Sequence, residues 1–230
     1  MNLVKPVTLL LTFLLMTFAG LSLADGQLKG RYEITVTNLT RGQSFTPILV
    51  ASHRSATRLF TLGAPASEPL AILAEGGDTA PLAEWLEQAG GQDVHTLPGL
   101  LTPGMSVSTT VVASPRHSHL SLAAMLIPTN DTFFSLNSVV LPRHGSITLY
   151  ALAYDAGTEF NDQSCANIPG PRCGGEGYSP VPGAGDEGFV YVSNGFHDLG
   201  TVDANGAEVL GPAVYDWRNP VASITIRRIQ

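Results

Sequence analysis

Three strand-like runs lie back to back between residues 119 and 154: HLSLAAMLI (119–127), FFSLNSVVL (133–141) and SITLYALAY (146–154), separated only by PTNDT and PRHG. Connections this short join antiparallel neighbours, because a parallel pair needs a crossover of a dozen or more residues. The chain should therefore run up, down and up, and alternate turns return to the same end of the sheet. Asp131 in the first turn and Asp155 after the third run, 24 positions apart, then meet on one rim. Oxygen ligands converging from neighbouring loops suit a hard divalent cation, and Ca2+ accepts irregular coordination by carboxylates, carbonyls and water more readily than Mg2+ does. A local reading stands beside this one: Asp and Asn favour turns because they hydrogen-bond to their own backbone.

The first residues bear on where such a rim would work. MNLVKPVTLLLTFLLMTFAGLSLADGQ has one Lys, an apolar run over 7–19, and Ser22 and Ala24 as small residues at a cleavage site, the pattern of a secretory signal peptide over residues 1–24. The apolar run is shorter than the about 20 residues that span a bilayer, so cleavage is expected rather than anchoring. The remaining 206 residues (230 minus 24) suit one β-rich domain over 25–230. Without Lys5 the chain carries 11 basic and 19 acidic residues, a net charge of minus 8, which excludes nucleic acid and anionic membrane surfaces as natural partners. Cys165 and Cys173 are the only cysteines, and in an exported chain the short loop between them reads as a disulfide.

Period-two alternation marks strands over 31–39 (RYEITVTNL) and 221–229 (VASITIRRI). FTPILVA (45–51) is another, with Pro47 implying an edge or a bulge. MSVSTTVVA (105–113) and GFVYVSN (188–194) read the same way. Two short helices interrupt the series: one over 68–74, capped by Ser67 and stopped by Gly76-Gly77, and one capped by Asp78 or Thr79 with Leu82, Trp85, Leu86 and Ala89 on its apolar face. About eight strands and two inserted helices indicate an all-β, antiparallel β-sandwich. The Gly/Pro-rich passage over 163–188 is of a length that in a compact domain is usually functional or pinned.

FTPILVASH (45–53), LAEGGDTAPL (73–82), RHSHLSLAAMLIPTNDTFF (116–134) and above all YDAGTEFND (154–162) together resemble the spondin N-terminal domain family, as found in F-spondin and mindin and in exported bacterial proteins. The resemblance implies a C2-like sandwich that binds calcium and serves in adhesion, with the family's two turn aspartates falling on Asp131 and Asp155. Two departures stand out. Thr132 replaces the family's Trp, and the acidic ligand on a preceding strand would fall near Val112, which has no oxygen to offer. Glu159, Asn130, Asn137 and Asp162 are nearby oxygen donors that could replace it.

The rival class is an exported metal-dependent hydrolase. His117 and His119 have the i, i+2 spacing of a strand metal pair, but about ten residues, or ~30 Å of strand, separate them from Asp131. No G-x-S-x-G occurs, and Ser52 and His53 are adjacent on a strand and so face opposite ways. The expectation is thus a periplasmic or secreted, non-catalytic module that binds Ca2+ through Asp131, Asp155, Glu159 and Asn130 and recognises an extracellular protein or surface glycan.

Overall fold

The computed structural model describes residues 29–180 and 183–230, so the expected signal peptide lies outside the described residues. The chain is all-β and antiparallel, with a few short helices. In order come β1 (Gly30–Asn38), β2 (Ser44–Phe45), β3 (Ile48–His53), α1 (Glu68–Gly76), α2 (Ala80–Gln88), β4 (Gly91–Leu97) and β5 (Ser106–Ala113). Then follow β6 (His119–Ile127), β7 (Thr132–Val140), β8 (Ser146–Asp155), β9 (Tyr191–Val192), α3 (Pro212–Tyr215) and β10 (Ala222–Arg228). One hydrogen-bonded path runs β4-β3-β6-β7-β8-β10-β1-β5, with β2 added to β6 and β9 to β8. The meander of β6, β7 and β8 is present as expected.

Side-chain alternation places the core. In β1, Tyr32, Ile34 and Val36 point inward, and Ile34 and Val36 pair with Ile226 and Ile224 of β10. The outward positions carry hydroxyls and charges, among them Arg227 donating to Glu33 at 2.8 Å. β6 is buried along nearly its whole length because both faces are covered. Leu120, Leu122, Ala124 and Leu126 join the main cluster, in which the rings of Phe45 and Phe134 stand 4.2 Å apart. Ala123, with Leu49, Ala51 and Phe133, faces a second cluster roofed by Leu70 and Leu73 of α1 and Leu82 and Leu86 of α2. The inserted helices therefore close the outer face of β3, β6 and β7, which explains why ILVASH shows no polar face.

Several expectations need correction. Pro47 does not mark an edge: it splits the expected run into β2 and β3, and β3 is interior, between β4 and β6. Ser67 and Thr79 occupy the helix N-caps without a side-chain bond, and it is Asp78 Oδ1 that accepts from Ala80 N at 2.9 Å. Strand β4 was not expected, since GQDVHTL carries four polar side chains. Two of them, Asp93 and His95, tie β4 to β5 at the two ends of the path. His95 joins Asp93 at 3.0 Å and Thr109 at 2.9 Å, and Val112 N donates to Asp93 Oδ2 at 2.6 Å. Of 188–194 only Tyr191–Val192 pairs as a strand. Cys165 and Cys173 form the expected disulfide.

Candidate metal centre

Asp131 is the last residue before β7 and Asp155 the last of β8, and in the β7–β8 ladder Thr132 stands opposite Asp155. The two aspartates therefore share one rim, and they share one turn as well. Asp155 Oδ1 accepts from Gly157 N at 2.9 Å, while Asp131 Oδ2 accepts from Thr158 N at 2.7 Å, Glu159 N at 3.1 Å and Thr158 Oγ1 at 3.2 Å. Three successive amides of the DAGTE turn are divided between two carboxylates. Gly157 makes this winding feasible: its φ is +68°, and a Cβ there would meet the Phe189 carbonyl oxygen at 2.3 Å. On the other side Asn161 Nδ2 donates to Asp155 Oδ2 at 3.0 Å and to the Tyr191 hydroxyl at 3.2 Å.

These are not solvated turn residues. Asp131 is 0% exposed and Asp155 1%. Burial pushes the Asp131 carboxyl up to about 6, against the hydrogen bonds from Thr158 and Glu159 that pull it down. Burial, and then the neighbouring Asp131 charge, push Asp155 up to about 8. Glu159 rises to about 9, through burial first and then through Glu75, Asp131, Asp162 and Asp186. Among the described residues, the four ion pairs are His95–Asp93, Arg172–Glu208, Arg218–Asp216 and Arg227–Glu33, none of which touches this rim. Among the described residues, four carboxylate oxygens on or near it are shielded and have no hydrogen-bond partner: Asp131 Oδ1, Glu159 Oε2, Glu75 Oε1 and Asp186 Oδ1. Anionic oxygens buried without hydrogen-bond donors are what a hard cation would satisfy, so the donor set fits Ca2+ in kind. Among the described residues, no three His, Cys, Asp or Glu side chains are grouped as a metal ion would need, so an ion here would be completed by backbone carbonyls and water.

The family model Spondin_N matches residues 37–164, more than half of the chain and the whole of this rim's two aspartate turns. The chain belongs to the spondin N-terminal domain family. Spondin-2 of Rattus norvegicus is 26% identical over 176 residues, covering 65% of this chain and 53% of that protein, so the chain matches about half the length of this relative.

Within the spondin domain the expected site residues divide. Asp131, Asp155 and Glu159 come together on one turn. Asn130 is at the same rim but turns towards the following segment: its Nδ2 donates to Asp162 Oδ1 at 3.1 Å and its Oδ1 accepts from Gln163 N at 3.2 Å. Asp162 in turn accepts from Ser164 N at 2.8 Å. Asn137 is elsewhere, inside β7, where it accepts from Leu59 N and donates to Phe60 O. Val112 stands at the other end of the molecule. Its carbonyl accepts from Ser52 Oγ, and Ser52 is level with Leu120, seven residues along β6 from Ile127. His117 and His119 are at that far end too, and His53 is buried there with its ring bonded to Arg54 O and Ser121 Oγ. Sequence reasoning missed Glu75, Asn161, Asp186 and Tyr191. Only Glu75 left a trace in the sequence, as a lone acid in the apolar run LAILAEGG.

Proposed function

We propose that this spondin domain is an exported, non-catalytic recognition module in which Asp131 and Asp155, with Glu159 and Asn130 beside them, hold Ca2+. The carrying observation is Asp131 Oδ1, an oxygen on a fully buried side chain that has no donor among the described residues, beside a second buried carboxylate, with no cationic side chain among the described residues paired to either. The ion would neutralise the pair and fix the DAGTE turn, presenting the rim to an extracellular protein or a surface glycan. A signal peptide over 1–24, a single domain over 25–230 and a periplasmic or secreted location belong to the same reading, and the Cys165–Cys173 disulfide supports an oxidising compartment. The fold in this reading is the C2-like sandwich: one apolar cluster enclosed between halves of a folded-over sheet supports it, and the links from β4 to β5 bring it near a closed barrel. The hydrolase alternative gains nothing from the rim, because the histidines that would serve it stand at the far end of β6.

Titration calorimetry of chelator-stripped protein with Ca2+ and with Zn2+ tests the proposal. Ca2+ should bind the wild-type chain and leave Asp155→Ala without that site. Tight Zn2+ binding with no Ca2+ heat would overturn it in favour of the hydrolase.

A further inference from the structure

The end of the molecule opposite the aspartate rim is charged in the other sense. β1 begins there with Gly30 beside Ala113, the last residue of β5, and β10 finishes there with Arg228 beside Tyr32. The PRHG turn after β7 and the turn over 114–118 lie at the same end, since β6 opens with His119 opposite Val140. Where these strand ends part they leave a cavity of about 400 Å³. That size is usual for small-molecule sites, which favour the mouths of sheets folded around a core.

The lining has two parts. Tyr32, Ala113 and Leu141 are buried members of the main apolar cluster and form its hydrocarbon side. Arg143 and Arg228 supply the polar side, together with Ser114 and Ser118. No Asp or Glu lines this cavity, and among the described residues neither arginine belongs to an ion pair. Backbone oxygens hold Arg228 in place: its Nη1 donates to Arg143 O at 2.7 Å and its Nε to Gln230 O at 3.0 Å, which leaves Nη2 over. The neighbouring charges have the same sign. Ser114 Oγ is bonded to His117 Nδ1 at 2.9 Å and Ser118 Oγ to His119 Nδ1 at 3.3 Å. Burial and then Arg54 and Arg116 push His117 down, and burial and then Arg58 push His119 down. In a chain with more acidic than basic residues, the charges gathered around this mouth are cationic.

We infer that this mouth binds a small organic anion with an apolar body, of the class of medium-chain or aryl carboxylates: Arg143 and Arg228 take up the charged head, and the hydrocarbon lies on Tyr32, Ala113 and Leu141. Arginine suits a carboxylate because its planar fork offers two parallel N–H donors. The concave shape decides against an extended polyanion, which is held by cations standing out along a face or groove, whereas here they converge on apolar surface. A bare inorganic anion would leave that apolar surface unused.

The test is titration of the isotope-labelled chain in EDTA with sodium octanoate, followed by amide shifts and calorimetry, with 1-octanol and inorganic phosphate standing for the two halves of the ligand. EDTA keeps metal off the aspartate turns, so the outcome does not depend on whether they bind Ca2+. Octanoate should bind with a dissociation constant below about 1 mM and shift the amides of Gly30, Ser118 and Arg143, but not those of Thr158 and Glu159. Arg143→Met and Arg228→Met should each weaken it about tenfold, the loss of one charged hydrogen bond. Arg218→Met, which removes an arginine paired with Asp216 away from the cavity, should change nothing. Arg143 is exposed, so its variant keeps the inference testable even if the loss of Arg228 disturbs the turn it holds. Absence of octanoate binding, octanol or phosphate binding as tightly as octanoate, or an unchanged affinity in Arg143→Met would overturn the inference.

Discussion

Replacing Asp131 by Asn in chelator-treated protein separates the cost of the buried charge from the work of the hydrogen bonds. Asn keeps a carbonyl oxygen that accepts from Thr158 and Glu159, as Asp131 Oδ2 does now, and puts an NH2 where Oδ1 has no donor. In the wild type the folded-state value for Asp131 is raised from 3.8 to about 6. The folded state therefore holds this proton more tightly than the unfolded state does, and stability falls as pH climbs from about 4 to about 6 and stays low above that. Roughly two pKa units at 1.36 kcal/mol each amount to about 3 kcal/mol, or about 6 to 12 °C in melting temperature for a domain of this size. Asp155, raised to about 8, extends the loss to higher pH. By calorimetric melting in EDTA at pH 8, Asp131→Asn should exceed the wild type by about that margin, and below pH 4 the two should converge. Adding Ca2+ should reverse the order, since only the wild type has the charge to bind it. A wild type that melts at the same temperature from pH 5 to pH 8 in EDTA, or above the Asn variant at pH 8, would refute the reasoning.

Three further outcomes are expected. Gly157→Ala should weaken Ca2+ by about tenfold or more, equivalent to about 1.4 kcal/mol, because a methyl 2.3 Å from the Phe189 carbonyl drives the turn amides off both carboxylates; an unchanged calorimetric affinity would contradict that. Asp93→Ala should cost about 1 to 3 kcal/mol in urea denaturation and speed hydrogen exchange at the Val112 amide, which loses its acceptor. Cys165→Ser with Cys173→Ser should cost about 2.5 kcal/mol by the chain-entropy estimate for so short a loop, read from the urea midpoint with and without reductant.

How far these features could be read in the sequence depended on whether each was local. The meander followed from turn length alone, and the two aspartates with it, because alternate turns must return to one end. β4 escaped because its polar side chains look like loop: Asp93 and His95 bridge β4 to β5, at the far end of the sheet path, and no nearby pattern signals such a partner. Pro47 looked like an edge marker, yet it only interrupts a strand whose both faces the helices and the core then bury. Glu75 and Asp186 are more than a hundred positions apart and line one cavity through packing of an inserted helix against a Gly/Pro-rich segment, which no periodicity encodes.

The rim is also costly in a way that bears on its purpose. Taking a carboxylate out of water costs several kcal/mol, a large share of the 5 to 15 kcal/mol that separates folded from unfolded domains. Holding the DAGTE turn does not require that expense, since a neutral amide at 131 would accept the same backbone bonds, and at 155 an Asn would bridge to Gly157 equally well. What Asp has and Asn lacks is the negative charge, and no Lys, Arg or His is paired with it here among the described residues. Under the proposed function, a buried charge that no side chain among the described residues balances, set where the backbone already fixes its direction, is where a cation from outside the chain would bind. The same reasoning separates this rim from the Asp93 position, whose two oxygens are filled by His95 and Val112, and which therefore closes a seam and calls for no ion.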